Sequence, residues 1–467
     1  MLRSLGNIFK VPDLRKKIFY TLMIITIHRI GAHIPIPFVN SEAVSALLGK
    51  AMSGGGILSM IDMFSGGAFK NMTIFALGIM PYISASIILQ LLQVVWPRLE
   101  KIAKEGEIGR KKINQYTRYG TVLLAAIQAF GIGLFLIKGD PSTGGLTLIP
   151  GQPVAFMAMA VLSVTTGTCF IMWLGEKITE KGIGNGISII ITLGILARYP
   201  SSLLIAGQQL YNGNMNPLMF VVVITLFILM TLIIIMFQQG SRKIPIQHAR
   251  RVVGRRMVQG QTQNLPLKIN TAGVIPVIFS SAILSFPAMI LGMFTSTQGG
   301  GLMGTLSGMF GMQTNFNLYN GLGLNMGGLA LILKAVNPYI FIYILLTGFF
   351  CYFYTAITYN PIDVAENLKK SGAFIPGRRP GKPTSDYINY VLTRITLVGA
   401  AYLCGVAVLP MVLVISYGMD YSLMDFVGGT GLIIVAGVLL DTLKQIESQL
   451  MVRHYEGFKF RRRGGGF

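Results

Sequence analysis

The feature that most constrains this chain is its alternation of long apolar stretches with loops that carry nearly all of its charge. Of its 467 residues, 52% are hydrophobic and only 12% are charged, and the mean hydropathy is +0.62. This composition excludes a soluble domain and is typical of an integral membrane protein. The loop 238–270 carries seven Lys and Arg residues and no Asp or Glu. A loop this basic between two spans is expected to stay in the cytoplasm, where it can meet an acidic partner.

A membrane-spanning helix needs about 20 mostly apolar residues. Stretches of that length predict ten spans, some of them interrupted by Gly or Pro, at 18–34, 72–95, 119–137, 154–173, 185–206, 217–237, 271–293, 335–356, 390–415 and 429–450. The three cysteines (Cys169, Cys351 and Cys404) lie inside apolar stretches without metal-ligand spacing and are interpreted as small core residues. The predicted fold class is an all-α integral membrane protein.

The distribution of Lys and Arg predicts the orientation of the spans. Both termini are basic, and so are the loops 96–118, 238–270 and 357–389, whereas 294–333 carries no charge. By the positive-inside rule both termini are cytoplasmic. Five spans in each half then enter the membrane with opposite orientation, which permits an inverted repeat. We expect an N-terminal half at 1–206, a C-terminal half at 207–450 and a basic cytoplasmic tail at 451–467.

The segment 57–65 is too short to be a span, because nine residues of helix extend about 14 Å. It lies between Gly54-Gly55-Gly56 and Gly66-Gly67 and contains Asp62, which is costly at a lipid-facing position. Two interpretations remain open from the residues alone. The segment is either a short helix buried in protein or in a water-filled funnel, or an interfacial re-entrant turn.

Several motifs resemble those of the SecY family of protein-conducting channels. They include Ser65-Gly66-Gly67-Ala68-Phe69, the run from Leu77-Gly78-Ile79-Met80-Pro81 to Leu92, Arg29-Ile30-Gly31-Ala32-His33-Ile34-Pro35-Ile36-Pro37, Trp173-Leu174-Gly175-Glu176, Gly184-Asn185-Gly186-Ile187-Ser188, Leu265-Pro266-Leu267-Lys268, Asn360-Pro361, Pro376-Gly377-Arg378-Arg379-Pro380-Gly381 and Gly429-Thr430-Gly431. They occur in the family's order and cover nearly the whole chain, except for 294–333 and the last residues.

The resemblance implies an hourglass channel of two inverted five-helix halves, closed by a plug helix at 57–65 with plug residues Ile57, Leu58, Ile61, Asp62 and Phe64. The family's pore-ring positions fall on Ile83, Ile87, Ile187, Ile191, Ile278 and Ile434. Isoleucine suits such a ring, because a stiff apolar side chain offers no ligand to a hydrated ion yet can spread around a polypeptide.

The resemblance also implies a lateral gate that releases apolar segments sideways into lipid. Gln128, Ser280 and Ser281 are polar side chains at membrane depth that could bridge this seam; the alternative is routine interhelical hydrogen bonding. Ribosome or motor docking is expected at Arg255, Arg256, Arg378 and Arg379, because the planar guanidinium binds phosphate or carboxylate in a bidentate manner. Expected partners are the small membrane subunits SecE and SecG, the SecA motor ATPase, the ribosome with its RNA and proteins, signal peptides, nascent chains and lipid.

No catalytic constellation, phosphate-binding loop or metal-ligand set is visible, so we expect neither an enzyme nor a cofactor. The rival function is an inverted-repeat secondary transporter of a small solute. Its ion-coupling groups would lie near the midplane, whereas Arg29, Arg394, Asp441 and Lys444 fall near predicted helix ends, where snorkelling explains them. A bacterial plasma membrane is favoured over a plastid one, because no transit peptide precedes the first span.

Overall fold

The computed structural model of the protein describes residues 11–53, 62–138, 153–213, 216–248, 251–253, 256–258, 262–294, 338–417 and 429–463. Helices dominate these residues, and each of the ten predicted spans coincides in large part with one helix. The predicted helical membrane fold is therefore confirmed.

The helices are named in chain order. Those of the N-terminal half are α1 (Pro12–Gly31), α2 (Ser41–Ser53), α3 (Met80–Val95), α4 (Pro97–Lys104), α5 (Glu107–Lys138), α6 (Pro153–Lys181) and α7 (Gly186–Tyr211). Those of the C-terminal half are α8 (Pro217–Gln239), α9 (Ile275–Phe294), α10 (Pro338–Thr358), α11 (Pro361–Lys370), α12 (Lys382–Tyr417) and α13 (Thr430–Arg463). Spans one to ten correspond in order to α1, α3, α5, α6, α7, α8, α9, α10, α12 and α13.

Asparagine caps set the starts of three helices. The side-chain oxygens of Asn185, Asn216 and Asn360 accept the backbone N–H two residues further on at 3.1, 3.0 and 3.1 Å. This satisfies an amide that the first helical turn leaves without a partner. In α8 and α11 a proline follows the cap, where its fixed φ suits the first helical residue. Two of the motifs, Asn185-Gly186 and Asn360-Pro361, are therefore helix starts.

The second span begins later than the predicted residue 72. Met72 and Gly78 have φ values of +42° and +54°, so the chain before Met80 cannot be a continuous helix. Pro81 stands in the first turn of α3, where a proline is tolerated. The preceding residues instead form a buried turn-rich segment that includes Ala76 and Leu77. The apolar character of 72–79 therefore reflects burial in protein.

Two helices extend past the predicted domain limits, and the division into domains stays a prediction. Helix α7 continues to Tyr211, five residues beyond the predicted limit at 206. Helix α13 continues through Gly457 and the predicted tail to Arg463, and three glycines follow in the sequence at 464–466.

Five helices among the described residues are long and apolar enough to cross a bilayer, namely Pro153–Lys181, Gly186–Tyr211, Pro217–Gln239, Tyr339–Lys370 and Lys382–Leu413. A sixth results if α3 and α4, which meet at a bend of 102°, count as one broken span. Helices α1, α5 and α13 combine an apolar section with a charged end. The chain is a multi-pass membrane protein, and ten crossings stay a prediction.

The two halves meet along two seams. Helix α7 contacts α13 and α8 on one side, and α9 contacts α3 and α5 on the other. One hydrophobic cluster lies wholly in the N-terminal half, between residues 36 and 164, and another lies wholly in the C-terminal half, between 230 and 436. A third cluster joins residues of both halves, from Ile24 to Val438. This shared cluster, called the central cluster below, lies where the two halves meet.

The basic loop 238–270 contains β-structure that the sequence analysis did not predict. Strands β1 (Ser241–His248) and β4 (Thr262–Lys268) form an antiparallel pair in the register Ser241↔Lys268 to Gln247↔Thr262. Between them lie the short strands β2 (Arg251–Val253) and β3 (Arg256–Val258), which pair with each other. Strand β5 (Ala373–Phe374) comes from the other large loop, 357–389, and pairs with the end of β1.

Candidate functional site

The six isoleucines predicted to form a pore ring come together in the central cluster. Four helices contribute them, α3 (Ile83, Ile87), α7 (Ile187, Ile191), α9 (Ile278) and α13 (Ile434). Five of the six are buried, and Ile187 is half-buried against the others. Their role as a pore ring stays a prediction. The arrangement can close a path between the halves, because it offers no polar ligand to a hydrated ion.

The described end of the predicted plug, residues 62–65, forms one helical turn. Residues 62–66 are called the plug turn below. Asp62, Met63 and Phe64 are buried, and Met63 and Phe64 belong to the same central cluster as the isoleucines. Of the two interpretations left open above, a short helix buried in protein describes this end. The predicted plug residues Ile57, Leu58 and Ile61 lie outside the described residues.

Glycines let the plug turn approach α7 and α13 closely. A Cβ on Gly66, whose φ is +67°, would lie 2.7 Å from Cα of Gly194 in α7. A Cβ on Gly194 would lie 3.0 Å from the carbonyl oxygen of Phe64, and one on Gly431 would lie 3.5 Å from Sδ of Met63. Larger residues at the first two positions require a shift of the backbone. Residues 62–66 therefore pack this closely against α7 only because Gly66 and Gly194 carry no Cβ.

Replacing Gly194 by Ala is expected to loosen the plug turn without weakening α7. Alanine favours a helix over glycine by about 0.5–1 kcal/mol, so the helix itself gains stability. The new methyl group pushes against Phe64 and Gly66, and we expect a several-fold higher ion leak in liposomes. Gly207→Ala is the matched control, because it lies in the same helix with open space at its Cβ. Equal leak in the two variants would contradict the packing argument.

Two arginines contact the plug turn, and the sequence analysis did not foresee either contact. Arg29 donates from Nη1 to the carbonyl of Gly66 at 3.3 Å and from Nη2 to the carbonyl of Leu193 at 3.0 Å. Arg198 in α7 forms an ion pair with Asp62 at 3.7 Å. The snorkelling interpretation of Arg29 is wrong, since its guanidinium binds carbonyls inside the protein. The sequence showed only an arginine within an apolar stretch, which fits either interpretation.

The predicted gate residues lie on neighbouring helices. Gln128 is in α5 and the two serines are in α9, which packs against both α3 and α5. The hydroxyls of Ser280 and Ser281 donate within their own helix, to the carbonyls of Pro276 and Ile278, each at 2.8 Å. Oε1 of Gln128 is buried without a hydrogen-bond partner in the part of the chain that the structure describes. A polar bridge across this seam stays a prediction.

The two large loops predicted to be cytoplasmic form one surface through their shared three-stranded sheet, whose order is β4-β1-β5. Beneath it lies a small hydrophobic core of Ile244, Leu267, Ile375 and Ile388, with Leu368 and Val391 packed against it. Because Ile388 belongs to α12, the sheet is anchored on that helix. We call this unit the docking platform, defined by 241–248, 262–268 and 373–388.

The arginines predicted to dock a partner differ in their contacts. The guanidinium of Arg378 lies over the ring of Tyr387, 5.2 Å from its centroid, in a cation–π contact. Arg379 is exposed, and its side chain has no partner among the described residues. Arg255 lies outside the described residues, and Arg256 is described only as the first residue of β3. Of the described pair, Arg379 is the one free to bind a partner.

These features define a class of protein. Two helical halves embedded in a membrane enclose an apolar constriction, a short buried turn stands against it, and a basic platform projects from the loops. Two helical halves that share one apolar cluster are the architecture of a membrane channel.

Comparison with known proteins identifies the family. The SecY family model matches residues 73–443. The SecY subunit of the protein translocase of Streptomyces coelicolor is 43% identical over 463 residues, which cover 98% of this chain and 100% of that protein. The chain therefore belongs to the SecY family, and the relationship extends over its whole length.

Solved structures share the fold. One is a SecY protein whose plug domain is described as stabilising the closed state of the translocation channel and maintaining a membrane seal, with a TM-score of 0.60 and 17% identity. Another is Sec61 in the canine ribosome–channel complex of the endoplasmic reticulum, with a TM-score of 0.59 and 15% identity. Each comparison covers 93% of this chain and 92% of the other. The hourglass fold of the family is thus also the fold of this chain.

Proposed function

We propose that this protein is the central protein-conducting channel of a Sec translocon. It passes unfolded secretory proteins across the membrane and releases transmembrane segments sideways into lipid. The observation that supports this most directly is that six isoleucines and the plug turn pack together in one cluster built by both halves. The relatives and structures compared above carry translocase or channel names, and none supports the transporter alternative.

The central cluster explains how one channel can hold ions back and still pass proteins. In the closed state the isoleucines and Phe64 exclude water from the path between the halves. When the plug turn leaves, the ring side chains contact the moving chain without forming specific hydrogen bonds. Apolar contact depends on area and not on sequence. The ring therefore accepts any extended polypeptide while limiting the space around it.

The seam between α9 and its neighbours α3 and α5 is the proposed lateral gate. Gln128 in α5 and Ser280 and Ser281 in α9 lie beside this seam. Hydrogen bonds between membrane helices contribute about 0.6 kcal/mol on average, so a few polar residues hold such a gate without locking it. An apolar signal helix can then part the two helices and enter lipid.

The docking platform is the proposed site for the ribosome or a motor ATPase such as SecA. Arginines on a strand-supported surface bind RNA phosphates and acidic protein surfaces with the same forked geometry. Because β5 pairs with β1, a partner bound at Arg379 also contacts the base of the hairpin that carries Arg255 and Arg256. SecE and SecG are the expected membrane partners, with signal peptides and nascent chains as substrates.

The chain itself works without catalysis or cofactor, and its energy comes from the motor's nucleotide hydrolysis or from chain synthesis. Its expected location is the bacterial plasma membrane, with both termini in the cytoplasm. The basic residues of the docking platform and of both termini support this orientation.

The experiment that tests the function uses vesicles containing the chain with its small membrane subunits. Purified precursor, motor and ATP are added, and the protease-protected precursor is measured. We expect ATP-dependent protection that is absent from vesicles without the chain. Absence of protection, together with accumulation of a labelled solute down an ion gradient, would establish the transporter instead.

A further inference from the structure

Two cationic side chains from different helices converge on the plug turn. Arg29 stands near the end of α1, and Arg198 lies in α7, one turn beyond Gly194. Arg29 joins the carbonyl of Gly66 to that of Leu193, so a single guanidinium links the plug turn to α7. Arg198 reaches the same turn through the carboxylate of Asp62.

The pairing of Asp62 follows from its burial. Its side chain is 4% exposed, and Oδ1 already accepts the backbone N–H of Lys70 at 2.8 Å, which leaves Oδ2 facing Arg198 at 3.7 Å. A buried carboxylate is costly unless a cation and hydrogen bonds compensate it. The Arg198 side chain is 20% exposed and thus keeps some contact with water. A displacement of the plug turn away from α7 would separate this pair.

Arg29 makes a contact that lysine cannot fully replace. Its forked guanidinium donates to two carbonyls that belong to different segments of the chain. A lysine ammonium has one nitrogen on a flexible stem and lacks this fixed geometry. Arg29 is therefore suited to hold two backbones at a set distance.

One face of α7 carries both the constriction and the contacts to the plug turn. Ile187, Ile191, Gly194 and Arg198 follow at intervals of four, three and four residues, which places them on one side of a helix. A movement of α7 that widens the ring thus also displaces the groups that hold the plug turn.

We propose that Arg29, Asp62 and Arg198 form a polar latch that holds the plug turn on α7 and sets the threshold for opening. Opening requires that the Arg29 bridge and the Asp62–Arg198 pair both break, and closing restores them. The latch rests on the proposed channel function and assigns named residues to its regulation.

The test measures resting ion leak of the purified channel, with its small membrane subunits, in liposomes. The variants are Arg29→Met, Arg29→Lys, Asp62→Asn, Asp62→Arg and the charge exchange Asp62→Arg with Arg198→Asp. Asp62→Asn keeps the acceptor for the Lys70 amide and removes only the charge. Arg15→Met, an exposed arginine of the same helix α1, is the matched control.

A second readout is labelling of Met63→Cys by a membrane-impermeant thiol reagent, because Met63 is buried when the plug turn packs against α7.

Loss of a hydrogen bond to a charged group, or of one partner of a buried ion pair, shifts an equilibrium by roughly tenfold or more. We therefore expect at least that increase in leak and in labelling for Arg29→Met and Asp62→Asn, a smaller one for Arg29→Lys, and none for Arg15→Met. The charge exchange should remove most of the leak that Asp62→Arg alone causes.

Leak and labelling at the wild-type level in Arg29→Met and Asp62→Asn would overturn the latch, as would a charge exchange no tighter than Asp62→Arg. Because Arg29→Lys and the charge exchange retain the charges, they remain informative if a neutral variant assembles poorly. Failure of the wild-type channel to protect a precursor would instead count against the proposed function, whatever the leak.

Discussion

Replacing Ile87 by serine is expected to raise the resting ion leak of the channel by roughly tenfold, the equivalent of about 1.4 kcal/mol of closure. Ile87 is 1% exposed and belongs to the central cluster, as do Met63 and Phe64 of the plug turn. Serine removes three carbon atoms from this packing and adds a hydroxyl that can hold water in the constriction. The measurement is ion flux from liposomes loaded with a potassium or halide reporter.

The neighbouring Ile88 provides the control within the same helix. It is 46% exposed on the outer surface of α3, so Ile88→Ser makes the same chemical change outside the central cluster. We expect its leak to stay within about twofold of wild type, because no closing contact is lost. If both variants leak alike, the ring assignment fails and general loosening of α3 explains the effect.

Replacing Arg379 by glutamate is expected to weaken binding of the ribosome or motor by at least roughly thirtyfold, or about 2 kcal/mol, as for a central interface arginine. Arg379 is exposed on the docking platform, so reversing its charge repels an acidic or phosphate-bearing partner without disturbing a packed contact. The measurement is the dissociation constant of the partner for the channel complex at two salt concentrations, together with precursor protection.

Arg378 is the matched comparison, adjacent in sequence and of the same type. Its guanidinium lies on the ring of Tyr387, so Arg378→Gln removes an internal contact. We expect a modest loss of partner binding and an unchanged salt dependence. An equal loss in Arg378→Gln and Arg379→Gln would mean that both arginines bind the partner.

The lengths of the apolar stretches and the sequence motifs were sufficient to predict where the helices lie and to which family the chain belongs. Apolar length located a helix at every predicted span, and the motifs that resemble SecY include the caps at Asn185 and Asn360. These features are local, because a span depends on about 20 consecutive residues and a cap on three or four. A reader of the sequence alone can therefore place the helices and name the family.

Where a helix starts within a buried apolar segment could not be predicted from the sequence. The stretch 72–79 is as apolar as a span, yet it forms turns beside the central cluster. Hydropathy reports only that a residue avoids water, and burial in protein satisfies that as well as burial in lipid. Likewise, the pairing of β1 with β5 could not be predicted, because β5 belongs to a loop more than 100 residues further along the chain.

The contacts that hold the plug turn needed the tertiary structure. Arg29 and Leu193 are separated by 164 residues, and Asp62 meets Arg198 across a similar distance in the chain. Nothing in the local sequence distinguishes Arg29 from an arginine that snorkels to the membrane surface. The sequence by itself determined the helices and the family. The folded chain alone decided which polar groups face one another, because a hydrogen bond depends on distances that only packing sets.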